Sequence, residues 1–97
     1  MLLIAKNDGS APSASLESTG TMTIESGIIG GVLITADGTN DATITVQRND
    51  ANGKTVFDLV TKSPAFIVAP VSLESTTQAY YSVTGTGAAA QFFEWVE

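Results

Sequence analysis

Asp37, Asn40 and Asp41 place three oxygen-bearing side chains within one short loop, which makes Ca²⁺ the first chemistry to weigh. A Ca²⁺ ion takes roughly 6–8 oxygen ligands, typically from a loop of about 12 residues closed by a bidentate Glu, and no such loop surrounds these residues. Asx residues are also the ordinary occupants of tight turns, where their side chains bond their own backbone. The same reading covers Asn49-Asp50-Ala51-Asn52-Gly53. Gly85-Thr86-Gly87 has the look of a phosphate-holding loop, but nothing after it resembles the helix whose N-terminus would bind the anion. A β-turn accounts for it.

The chain contains no His and no Cys. Its Ser and Thr hydroxyls therefore lack the usual activating base, and thiolate nucleophiles, disulfides and thiolate zinc sites are excluded. Paired carboxylates for glycoside cleavage are conceivable, yet the acids fall mostly in turns. Trp95, Tyr80, Tyr81 and Phe92 offer an aromatic platform for a sugar, although aromatics in β domains of this size more often build the core. The expectation is a protein without catalytic, cofactor-binding or metal-ligating residues: not an enzyme, and with no cofactor.

Strands must position whatever these groups do. Thr21-Met22-Thr23-Ile24-Glu25 alternates polar and apolar residues, the period-2 mark of a half-buried strand. Ile28 to Ala36 reads as a longer strand interrupted by Gly30-Gly31, where a bulge or a close backbone approach is expected. Asp37 to Asp41 then fits a five-residue hairpin connection into Ala42–Arg48, the cleanest strand, with Ala42, Ile44 and Val46 on one side. Asn52-Gly53 supplies a turn able to take positive φ. Lys54 to Lys62 follows, with Phe57 and Leu59 on one face and Val56 and Val60 on the other, and Ser63-Pro64 ends it. Pro70 cannot donate to a ladder, so residues 66–73 belong at an edge or corner. Ala79 to Thr84 and Ala89 to Val96 complete the set.

In the last strand Phe93 and Trp95 share one face, while Phe92 and Val96 share the other with Glu94 between them. A solvated face is normally polar, so apolar residues on both sides point to packing against the chain's own arm or another subunit, or else to a central strand covered by a loop. No segment has a 3.6-residue period long enough for a helix. The expected fold is all-β: a small antiparallel β-sandwich or jelly-roll-like barrel with an extended N-terminal arm. Residues 1–19, turn-rich and small after Leu2–Lys6, form that arm, ordered by a neighbour or left loose; residues 20–97 form the β-sandwich domain.

Ninety-seven residues suffice for one domain with a thin stability margin, which small folds without disulfides often offset by oligomerising. Ten acids face only Lys6, Arg48, Lys54 and Lys62, for a net charge of −6. Four scattered cations cannot neutralise a phosphate backbone, so nucleic acid is not an expected partner. Charged residues are only 14% of the chain, below the roughly 25% of ordinary domains. A surface so poor in charge suits burial against other subunits, or it is simply a Thr-rich β surface. Met1 to Ala5 is too short for a signal peptide and no apolar run could span a membrane, so neither export nor a membrane is expected.

Gly31-Val32-Leu33-Ile34-Thr35-Ala36-Asp37-Gly38-Thr39-Asn40-Asp41-Ala42-Thr43-Ile44-Thr45-Val46 resembles a pattern in small virion proteins of tailed bacteriophages. Lys54-Thr55-Val56-Phe57, Val83-Thr84-Gly85-Thr86-Gly87-Ala88 and Phe92-Phe93-Glu94-Trp95 are similar to later parts of the same pattern, so the likeness runs from about Gly27 to Val96. The resemblance transfers no catalytic residue. It implies a β-sandwich component repeated around a virion, made in the host cytoplasm: a capsid decoration or cement protein bridging neighbouring subunits of the major capsid protein. A homo-oligomer is expected, with a trimer favoured, and contacts are expected at Leu2, Leu3, Ile4, Phe92 and Val96. The alternatives are a tail, adaptor or fibre position, or a glycan-binding β-module using the aromatics.

Overall fold

The computed structural model of the chain describes residues 2–6 and 17–96. Eight strands carry it: β1 Leu2–Lys6, β2 Glu17–Thr23, β3 Ile28–Thr35, β4 Ala42–Arg48, β5 Thr55–Thr61, β6 Ala65–Ser72, β7 Gln78–Thr84 and β8 Ala89–Val96. They form two four-stranded antiparallel sheets, ordered β1-β8-β3-β6 and β2-β7-β4-β5. Each early strand is laddered to its mirror position late in the chain: β1 to β8, β2 to β7, β3 to β6 and β4 to β5. That wrapping is the jelly-roll topology. The all-β sandwich expected from strand spacing is the observed fold.

The core follows from alternation. Ala42, Ile44 and Val46 are buried while Thr43, Thr45 and Gln47 between them stay half-exposed, and β7 repeats the pattern with Ala79, Tyr81 and Val83. The β4–β7 ladder sets Ile44 opposite Val83 and Val46 opposite Tyr81, which makes one continuous inward surface. From the other sheet Val32, Ile34 and Phe92 meet it; the rings of Phe92 and Tyr81 lie 5.9 Å apart across the sandwich. The core void lined by Ile29, Val46, Phe57 and Phe92 amounts to about 10 Å³, too little for a small-molecule ligand.

The expected hairpin from Ile28 to Arg48 is not one. β3 pairs with β6 and β8, β4 with β5 and β7, and residues 36–41 carry the chain from one sheet to the other. Among the described residues, the sole connection between hydrogen-bonded neighbours is the turn from β4 to β5. Turn residues reverse the chain direction, but they do not decide whether the returning strand pairs beside the first or packs over it.

Gly30-Gly31 marks a bulge, as expected: β8 sets Glu94 opposite Ile29 and Phe93 opposite Gly31, leaving Gly30 over. On the other side of β3, Ala69 and Pro70 fill the same irregularity in β6, which is an edge strand and so tolerates Pro70. A second register shift, at Val46/Gln47, leaves Val56 over in β5. Val56 therefore packs against the core with Phe57 and Leu59, not on the opposite face, and only Val60 is exposed. In the β4–β5 turn the left-handed residue is Asn49 (φ 73°), not Asn52 or Gly53. Gly53 is required sterically, since a Cβ there would lie 1.6 Å from the Arg48 carbonyl oxygen.

Part of the expected N-terminal arm is sheet. Leu2–Lys6 is the edge strand beside β8 of the same chain, and β2 already begins at Glu17; positions 7–16 lie outside the described residues. Alternate crossovers gather the β3–β4, β5–β6 and β7–β8 connections at one end. The β2–β3, β4–β5 and β6–β7 loops gather at the other, where the Ile24 N–H donates to the Thr77 carbonyl (2.6 Å) and the Asn49 N–H to the Gln78 carbonyl (2.8 Å).

Candidate functional site

The two outer faces of the sandwich differ in kind. On the second sheet, Thr43, Thr45, Gln47, Ser82 and Thr84 alternate outward from the buried positions of β4 and β7. Thr45 stands between Ser82 and Asp58 in register, and its hydroxyl lies 3.5 Å from the Asp58 carboxylate. Such a face is hydrated at no cost. Val60 is its one exposed large apolar residue among the described positions.

The first sheet is more apolar, with Gln91 opposite Leu33 as a polar interruption. Leu33 is 40% exposed, and Phe66 and Val68 are each 50% exposed. Leu33 stands opposite Phe66 in the β3–β6 ladder, and the Phe66 ring meets Phe93 edge-on at 5.3 Å with an interplanar angle of 75°. Phe93 and Trp95, half-buried, continue the surface along β8, and Leu3 of β1 stands opposite Trp95. The bulge fits this arrangement: the nearest atoms to a Cβ built on Gly30 would be Leu3 Cδ2 and then Trp95 Cβ. No acid or base stands among these six side chains, in a chain of net charge −6.

The contact residues expected from sequence fall differently. Leu2 stands opposite Val96, Leu3 opposite Trp95 and Ile4 opposite Glu94, so the two chain ends do come together along one sheet edge. Phe92 does not share in that surface. It is 1% exposed and belongs to the core; its neighbours Phe93 and Trp95 face outward instead. Glu94 points inward with Phe92 and is 5% exposed, its carboxylate accepting from the Ser26 N–H. Leu33, Phe66 and Val68 were not singled out from sequence. In the sequence they stand only within two apolar runs, Ile28–Thr35 and Ala65–Val71, and neither shows that the two segments are neighbours.

The four aromatics of the possible sugar platform are split by the fold. Tyr81 and Phe92 are buried, Tyr80 lies on the second sheet and Trp95 on the first. They make no common surface.

The oxygen-rich loop of Asp37, Asn40 and Asp41 spends the Asp37 acceptors internally. Asp37 accepts the Thr39 and Asn40 backbone N–H groups, each at 2.8 Å, and the Asn40 side-chain amide at 2.8 Å. These bonds, the Asn40 N–H foremost, hold the Asp37 carboxyl below its ordinary acidity range. Asp41 meets Lys62 at 3.2 Å in an exposed ion pair. Among the described residues no group of three or more acids is placed to hold a metal ion. The loop also packs on Gly85-Thr86-Gly87, where a Cβ on Gly87 would lie 3.0 Å from Asp37 Cβ. The 37–41 loop and the 85–87 turn, more than forty positions apart, are thus one structural unit.

At the opposite end, Arg48, Asn49, Asp50, Lys54, Ser75 and Thr76 line an open polar groove of about 580 Å³. Its Arg48 is already paired with Glu74 at 2.7 Å. No protein-family model matches this chain, and no curated protein and no solved structure matches it significantly.

Proposed function

We propose that this chain is a structural protein of a tailed-phage virion, acting as a capsid decoration or cement protein. The observation that carries this reading is the union of the 37–41 loop with the 85–88 turn. Two of the segments on which the resemblance rests, Asp37–Asp41 and Gly85–Gly87, pack together in space. Support comes from the fold, because jelly rolls recur in viral coat proteins, although lectin domains share them and fold alone does not set function.

The mechanism is mechanical. A filled, charge-poor sandwich with both chain ends along the β1–β8 edge offers neighbouring capsid subunits a strand edge to extend, with Leu2, Leu3, Ile4 and Val96 beside it. Copies that bind the assembled shell and not its free subunits stabilise the shell by mass action.

Addition of the purified protein to phage heads assembled without it tests this. The protein should co-sediment at a fixed stoichiometry per capsid subunit and raise the temperature at which the heads open. Absence of binding, or a particle reconstruction that places the chain on the tail, would remove the cement reading.

A further inference from the structure

We infer that the outer face of the first sheet is a two-fold interface between two copies of this chain. The inference is independent of any virion role. It rests on the contrast between the two faces: Leu33, Phe66, Val68, Phe93 and Trp95 gather on one, interrupted by Gln91 opposite Leu33, while the other is built mainly of Thr, Ser and Gln with Tyr80 and Val60 among them. Contiguous apolar surface of this kind on a soluble domain marks an interaction site.

Charge selects the occupant. The chain carries −6 in total, yet among the described residues no charged side chain stands with Leu33, Phe66, Val68, Phe93 and Trp95 on this face. A basic partner would find nothing here to pair with, whereas a second copy brings the same uncharged surface and keeps its acids in water outside the contact. Symmetry points the same way. A two-fold contact uses one self-complementary patch, whereas a ring of three needs two different patches that fit one another. Among the described residues, large exposed apolar side chains cluster in one place, with Val60 alone elsewhere. A dimer is therefore assigned in place of the trimer expected from the resemblance.

Sheet packs on sheet face to face at about 10 Å, the same geometry that already joins the halves of the sandwich. Four strands at about 4.8 Å spacing and some six residues of length give a footprint of about 400 Å² per copy. About 800 Å² for the pair is below the usual size of a tight complex and fits a weak, reversible dimer. Each copy carries a net charge of −6, so the two repel and salt should strengthen the association by screening that repulsion.

Sedimentation velocity from micromolar to millimolar protein tests this. The native chain should pass from monomer to dimer, with the midpoint moving to lower concentration as salt rises. Val68→Lys and Phe66→Lys, each on the exposed edge strand, should stay monomeric throughout while keeping the native far-UV circular dichroism. Val60→Lys, on the other sheet, should dimerise like the native chain. A native chain that remains monomeric at millimolar concentration, or that forms a trimer, overturns the inference. So does a Val68→Lys variant that still dimerises.

Discussion

Gly85 is held against the backbone of Asp41 so closely that a Cβ at position 85 would lie 2.1 Å from the Asp41 carbonyl oxygen. The residue also has φ 120°, outside the regions open to L side chains. Contact and conformation both demand glycine where the β7–β8 turn closes over the β3–β4 crossover.

Gly85→Ala should therefore destabilise the fold by about 2–4 kcal/mol, from backbone strain together with a clash that only backbone movement relieves. Gly38 supplies the control. It too is left-handed, at φ 89°, but nothing lies within 4 Å of its Cβ position. Gly38→Ala should cost only the conformational part, about 1–2 kcal/mol. Urea midpoints followed by circular dichroism read both. Equal losses would mean that the two loops do not depend on their close approach.

Acid should act on the same region through Asp37. Its folded carboxyl is held below the ordinary value by the Asn40 and Thr39 N–H groups. A depressed carboxyl contributes stability above its unfolded value near 3.8, and that contribution is lost as pH falls through the lower folded value. The Thr39 and Asn40 amide resonances should hold steady down to about pH 4 and shift below it. Asp37→Asn should abolish that titration. A shift centred above pH 5 would show that another group controls the loop.

Phe92 and Phe93 are adjacent and chemically identical, yet their truncation should differ several-fold. Phe92 is 1% exposed against Tyr81 and Val32, so Phe92→Ala should cost about 3–5 kcal/mol. Phe93 rests on Phe66 at the surface, and Phe93→Ala should cost about 1 kcal/mol in the monomer. Thermal unfolding at low protein concentration separates them. Comparable losses would place the wrong face of β8 in the core.

That pair also shows what the sequence made legible. Alternation in Ala42–Arg48 named the buried face outright, because Thr and Gln occupy its other side. β8 is apolar on both sides, and Glu94, which ordinarily marks a wet face, shares the inward side with Phe92. A strand patterned this way reads as a contact at Phe92 and Val96, whereas Phe92 lies in the core. The hairpin failed on a related point. Asp37-Gly38-Thr39-Asn40-Asp41 specifies a reversal, and its Asx turn is observed, but the partner of each strand is decided by ladders to residues far along the chain. The apolar face is illegible for the same reason: Leu33 and Phe66 become neighbours only through the β3–β6 ladder.

Two residues other than glycine adopt left-handed backbone among those described, Asn49 at φ 73° and Glu74 at φ 64°, on facing loops at one end. They should respond in opposite directions to substitution. Asn tolerates this conformation, so Asn49→Ala should cost about 1 kcal/mol. Glu does not, and Glu74→Asn should relieve strain of about 1 kcal/mol. That change also removes the Arg48–Glu74 ion pair, which at 2.7 Å has a Glu side chain 58% exposed. Exposed pairs contribute only about 0–1 kcal/mol, so the strain relief should equal or exceed the loss. Glu74→Asn is expected to leave stability unchanged or raise it slightly, and high salt should narrow any deficit. A clear loss that persists in high salt would mean that Glu74 holds the β6–β7 loop by more than its charge, and that its backbone strain is maintained by contacts beyond Arg48.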